Sequence, residues 1–160
     1  MCIRDSGWRT IVDLVHPVGD GDGALINRGT LNSGLALYVH RGRLHFDYNC
    51  FHDHTRAVAE KPLTPGAHSV MLDVTRQHDG SAAVTLTLDD AVVATARIPK
   101  LLFVLSSLGM DLGRSTAPIN NDYQAPFVYP GQLRRVVFEL GDKSSLGEVK
   151  AHVRAEMAKQ

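Results

Sequence analysis

Gly34–Asn49 reads G-L-A-L-Y-V-H-R-G-R-L-H-F-D-Y-N. Two runs of alternating side chains flank Arg41-Gly42, and a glycine there supplies the positive φ that a tight hairpin needs. A two-residue turn sets Val39 opposite Leu44, Leu37 opposite Phe46 and Leu35 opposite Tyr48. Side chains alternate along a strand, so all six fall on one face. The other face receives Ala36, Tyr38, His40, Arg43, His45 and Asp47, a mixed and mostly wettable set. A strand pair with one apolar face needs a second sheet to cover it, and the predicted fold is an antiparallel β-sandwich.

The flanking sequence repeats the pattern. Strands are expected over Trp8–Val15, Ala24–Arg28, His68–Thr75 and Gln132–Leu140. Val70, Leu72 and Val74 share one face of the third of these. A second hairpin, Ala83–Leu88 with Ala91–Ile98, turns at Asp89-Asp90, because aspartate tolerates left-handed backbone better than most residues. A two-residue loop there sets Leu86 opposite Val93 and Leu88 opposite Ala91, with Thr85 and Thr87 on the wettable side. Leu101–Leu112 reads as one or two short strands, and Arg114–Pro126 as a polar loop. Short alternating segments between turn signals are the signature of two packed antiparallel sheets.

Both ends depart from this pattern. Met1–Ser6, M-C-I-R-D-S, resembles translated adapter read-through in metagenomic reading frames, so residues 1–6 are expected to be non-native and the true N-terminal part to be missing. Residues 7–141 form the sandwich. Within 142–160, Ser145 and Glu148 make a capping box, and Leu146, Val149, Val153 and Met157 recur at helical spacing. A short helix is expected, its stripe docked on its own domain or on an absent neighbour. With Leu101–Leu105, that stripe is where a lost interface is expected.

At 160 residues, with 44% hydrophobic and 21% charged, the chain suits one globular domain. Seventeen basic and seventeen acidic residues cancel, which removes the bulk electrostatic case for nucleic acid. No apolar run approaches the ~20 residues of a membrane-spanning helix. Met1–Ser6 lacks a signal-peptide core, and the compartment stays open. Cys2 and Cys50 lack C-x-x-C spacing; Cys50 is expected to be free and at least half-buried.

Several residues invite a chemical reading. The Gly19–Gly23 tract alternates Asp and Gly, but a calcium loop would close with Glu where Leu31 stands, so a turn is the better account. His52 and His54 would share a face if their strand continued; no third ligand is near in sequence, and His68 and His78 are distant. Ser106, Ser107 and His68 lack a G-x-S-x-G frame. Of Trp8 and four tyrosines, Tyr38, Tyr123 and Tyr129 are the ones that could stack on a sugar in a jelly-roll carbohydrate-binding module, or simply pack in the sheets. No catalytic, cofactor-binding or metal residue is assigned.

One resemblance spans nearly all of the chain after Ser6. Asp111-Leu112-Gly113-Arg114, Pro118-Ile119, Asp122-Tyr123, Pro126-Phe127 and Gly131 resemble the C-terminal signature of bacterial arylsulfatases. The landmarks in Gly34–Asn49 and Pro62–Ser69, and the ending Arg154–Gln160, resemble the same region. More loosely, the hairpin order is similar to laminin-G-like and concanavalin-like jelly rolls. The family usually continues with Asp-Thr-Gly where Ser115-Thr116-Ala117 stands here, in a shorter loop. The resemblance implies an accessory domain packing on a sulfatase catalytic domain of the same parent chain, where formylglycine and calcium act on sulfate esters. The formylglycine motif Cys/Ser-x-Pro-Ser-Arg is absent: Cys2 precedes Ile-Arg-Asp and Cys50 precedes Phe-His-Asp. The fragment alone is expected to hydrolyse no aryl sulfate.

Overall fold

A computed structural model describes residues 7–102 and 108–140. The expectations for residues 1–6, for Ser106 and Ser107, for most of Leu101–Leu105 and for the tail 142–160 lie outside the described residues. Among the described residues ten strands follow one another: β1 Trp8–His16, β2 Gly23–Gly29, β3 Ser33–His40, β4 Arg43–Cys50, β5 Asp53–Val58, β6 Gly66–Arg76, β7 Ala82–Leu88, β8 Ala91–Ile98, β9 Met110–Leu112 and β10 Gln132–Leu140. They form two five-stranded antiparallel sheets, ordered β10-β1-β6-β7-β8 and β5-β4-β3-β2-β9. No helix occurs among the described residues.

The β3–β4 register is the expected one: Leu35↔Tyr48, Leu37↔Phe46 and Val39↔Leu44. Arg41 and Gly42 turn with φ of 50° and 72°, the left-handed pair of a tight hairpin. All six apolar residues are buried and meet Val12, Leu14, Val70, Leu72, Val74, Val84 and Leu86 of the facing sheet. The Gly19–Gly23 tract serves this hairpin, since the Asp22 carboxylate accepts the N–H groups of Arg41 and Gly42 at 2.6 and 2.9 Å.

Three readings need correction. The reverse face of β3–β4 is not wet: Ala36, Tyr38 and Asp47 are 0% exposed and His45 8%. His52 and His54 do not continue one strand, because Phe51 and His52 turn the chain with φ of 51° and 75° into β5. The β7–β8 pairing slips at a bulge, so Leu86 faces Ala94 instead of Val93, while Leu88 faces Ala91 as expected. A bulge inserts one residue, here Val93, into one strand of the pair.

The two flanks of the sandwich differ. β5 and β8 approach each other and close one side. On the other, Met110, Leu112, Phe138 and Leu140 are 38%, 48%, 42% and 59% exposed, and Leu112, Tyr129, Leu133 and Arg134 line a cleft of about 470 Å3.

Candidate functional site

The reverse face of β3–β4 is covered by residues 113–131, which include the stretch Arg114–Pro126 read from sequence as a polar loop. Gly113 N–H donates to the Leu25 carbonyl, and Ser115 and Phe127 exchange backbone hydrogen bonds at 3.1 Å. The chain between them folds back over the sheet as a strap. Its underside is apolar at intervals of four: Ile119 (0% exposed), Tyr123 (7%) and the half-buried Phe127 pack with Ala24, Ala36 and Tyr38 in a second small core. The Tyr123 and Phe127 rings stack with centroids 4.3 Å apart.

Polar groups fix the strap in register. The fully buried Asp47 carboxylate accepts from Asn120 Nδ2 at 2.7 Å, contacts His54 Nδ1 at 2.9 Å and lies 3.4 Å from Arg56 Nε. Tyr38 donates its hydroxyl to Asp122 at 2.9 Å and accepts from Asn120 at 3.0 Å. Arg56 closes the ring on Asp122 at 3.1 Å. Asn27 donates to the Ala117 carbonyl and accepts from the Tyr123 hydroxyl. Asn49, also fully buried, donates to the carbonyls of Leu31 and Ile119 and accepts from His52 N–H, clamping three loops at one end. A buried carboxylate is tolerated only with such partners, because desolvation without them would drive it neutral.

The electrostatics follow from burial. The Tyr38 phenol is pushed far above its usual range, first by burial and then by the Asp122 charge. Burial pushes Asp122 upward, but the Tyr38 hydroxyl and the Arg56 guanidinium outweigh it and hold the carboxyl below its ordinary value. His45 lies between Tyr38, stacked at 5.1 Å, and His40, edge-on at 5.7 Å; among the described residues neither of its ring nitrogens has a hydrogen-bond partner. Burial, then the nearby His40, lowers its pKa. Chemically, most of these groups engage one another, and the arrangement holds a strap on a sheet.

The residues singled out in the sequence scatter. His52 is exposed in the β4–β5 turn, while His54 is held by Asp47. His68 stands on the other sheet, engaged by Asp89 and Thr64. Among the described residues no group of three His, Cys, Asp or Glu could hold a metal ion. Tyr38, Tyr123 and Tyr129 are 0%, 7% and 5% exposed, which leaves no tyrosine platform for a sugar. Tyr129 instead bonds His16 Nδ1 at 2.9 Å, and burial pushes its hydroxyl up to about 12. Cys50 is a half-buried free thiol. No helix among the described residues is long and apolar enough to cross a membrane. Sequence reading missed the Asp47–Asn120–Asp122 network; its available signal was the four-residue spacing of Ile119, Tyr123 and Phe127 inside a polar loop.

No family model matches the chain, and no curated protein matches it. Among solved structures it is similar to domains LG4-5 of the mouse laminin α1 chain, with a TM-score of 0.64 and 16% identity over 90% of this chain. The match spans 38% of that laminin chain. A native heptameric SAP-like pentraxin from Limulus polyphemus aligns over 86% of this chain and 71% of its own, at a TM-score of 0.40 and 13% identity. The laminin likeness supports the jelly-roll β-sandwich fold.

Proposed function

We propose that this chain is the C-terminal accessory β-sandwich of an arylsulfatase-like sulfuric ester hydrolase, packing on a catalytic domain outside this sequence and turning over no substrate itself. The observation that carries the reading is how the resembling motif is used. Asp111 accepts from the backbone and hydroxyl of Thr116 and turns the strap at its start. Ile119, Asp122, Tyr123 and Phe127 are its underside and its anchor. Gly131 leaves no room for a side chain, since a Cβ there would lie 2.5 Å from the Val15 carbonyl and 2.6 Å from the Tyr129 ring. A signature made of strap-holding residues suits a scaffold. Ser115, where the family usually has Asp, fits the shorter loop by donating its hydroxyl to the Ala117 carbonyl.

In this reading formylglycine and calcium belong to the absent domain, and no described residues are assigned to either. The test is co-expression with the upstream half of the parent reading frame. A complex that co-elutes, with aryl sulfate turnover confined to samples containing the upstream half, is expected. Turnover by the chain alone at the rate of the complex would overturn the proposal. So would a folded chain that does not bind, or an upstream frame without Cys/Ser-x-Pro-Ser-Arg.

A further inference from the structure

Among the described residues four strands form the sheet edges, and β10, at nine residues, is the longest. Proteins blunt such edges with bulges, prolines or inward charges, because a row of unpaired backbone groups templates another strand. β10 has its irregularity at one end, where the pairing with β1 jumps past Arg134. Beyond it, Arg135–Leu140 pairs with Trp8–Asp13 without interruption and contains no proline.

The two faces of this segment differ. Val136, Phe138 and Leu140 lie on the face of the buried Val12 and Thr10, yet Phe138 and Leu140 are 42% and 59% exposed. Arg135, Val137 and Glu139 lie on the other. That face is self-complementary. If β10 pairs antiparallel with a second β10 about Val137, each Arg135 stands opposite a Glu139, and each Val136 opposite a Phe138. Opposite charges facing each other across a strand pair are favourable, and like charges are not. Behind them, Asp13 bonds Arg135 at 2.9 Å and Arg9 lies 3.6 Å from Glu139, so each contact extends into a run of alternating sign. A slip of one residue would turn one sandwich over and set Arg135 against Phe138; a slip of two would set Glu139 or Arg135 against Val137.

From this complementarity we infer that the chain forms a two-fold dimer, in which β10 of one copy pairs antiparallel with β10 of a second copy and joins two sheets into one. The inference does not depend on the sulfatase parentage. The isolated 160-residue chain is examined by sedimentation velocity over a concentration series, with circular dichroism to establish that each variant folds. The native chain is expected to shift from monomer to dimer as concentration rises. Glu139→Arg alone and Arg135→Glu alone should each stay monomeric, since each sets like charges against each other at both ends of the pair. Mixed in equal amounts, the two variants should dimerise, because in the mixed pair every facing position again carries opposite charges. Should either variant fail to fold, Val137→Lys, which places two lysines on the two-fold axis, replaces it and should give a monomer. A native chain that stays monomeric throughout would overturn the inference, as would dimers indifferent to these substitutions or folded variants that do not re-pair on mixing. Protection of β10 only when the catalytic half is added would overturn it in favour of that domain as the occupant.

Discussion

The two faces of the β3–β4 pair are both buried, by different means. The inner face carries Leu35, Leu37, Val39, Leu44, Phe46 and Tyr48 against the facing sheet, where nearly any close-packed apolar neighbour will do. The outer face buries Asp47, His45 and Tyr38 beneath a strap, and three of its contacts require a named atom at a named distance. Apolar burial is non-directional and tolerates substitution of like volume, whereas polar burial depends on each partner being present. The first kind supports the sandwich. The second holds one segment in one place, and should fail locally.

The largest expected effect breaks the inner face. Phe46→Ala removes a ring that is 0% exposed and should cost about 3–5 kcal/mol in chemical denaturation, with the whole domain unfolding together. On the outer face, Asp47→Asn keeps the shape but removes the charge facing Arg56 and His54, at about 1.5–3 kcal/mol. Hydrogen exchange should then rise in residues 114–127 before it rises in β3 and β4; simultaneous exchange would mean the strap is no separate unit.

Acidification sharpens the same contrast. Burial lowers the pKa of His45, so below the unfolded value of ~6.5 the unfolded chain takes up the proton first and stability falls with pH. The loss begins near that value and levels off once the folded ring is also protonated. One such group contributes at most ~1.4 kcal/mol per pH unit. His16, on the other sheet and also lowered chiefly by burial, acts in the same direction. His45→Phe should therefore flatten the pH dependence of denaturation only in part, and an unchanged slope would show that His45 does not titrate on unfolding.

The smallest effect is a gain. Phe51-His52 occupies a left-handed two-residue turn, a conformation that costs non-glycine residues about 1–2 kcal/mol each. Replacing the pair with Asn-Gly should raise stability by about 1 kcal/mol without moving the strap.

What was legible in the sequence follows the same division. Leu37 opposite Phe46 could be read because a glycine turn and a period of two agreed. β5 was missed because Asp53–Val58 is an edge strand with only Ala57 fully buried, too little apolar signal to stand out. The bulge that moves Leu86 onto Ala94 has no marker such as glycine. The strap looked like a loop because its composition is that of a loop; its buried Asn120 and half-buried Asp122 are held by partners far away in sequence, Asp47 and Tyr38. Asp111, Ile119, Asp122, Tyr123 and Phe127 were visible as a series of short motifs, but they could not be told apart as reactive groups or struts until they were seen against the sheet.

The position of β1 has a consequence for synthesis. It sits between β6 and β10, with Trp8 opposite both Val74 and Leu140. On a ribosome adding about 5–20 residues per second, β2 to β5 can zip into their own sheet while β1 waits for its first neighbour. Its second neighbour emerges only after the strap has been made. The earliest of the described strands to be translated is thus among the last to be enclosed, and through that delay its Ile11, Val12, Leu14 and Val15 are an adhesive segment exposed to its surroundings.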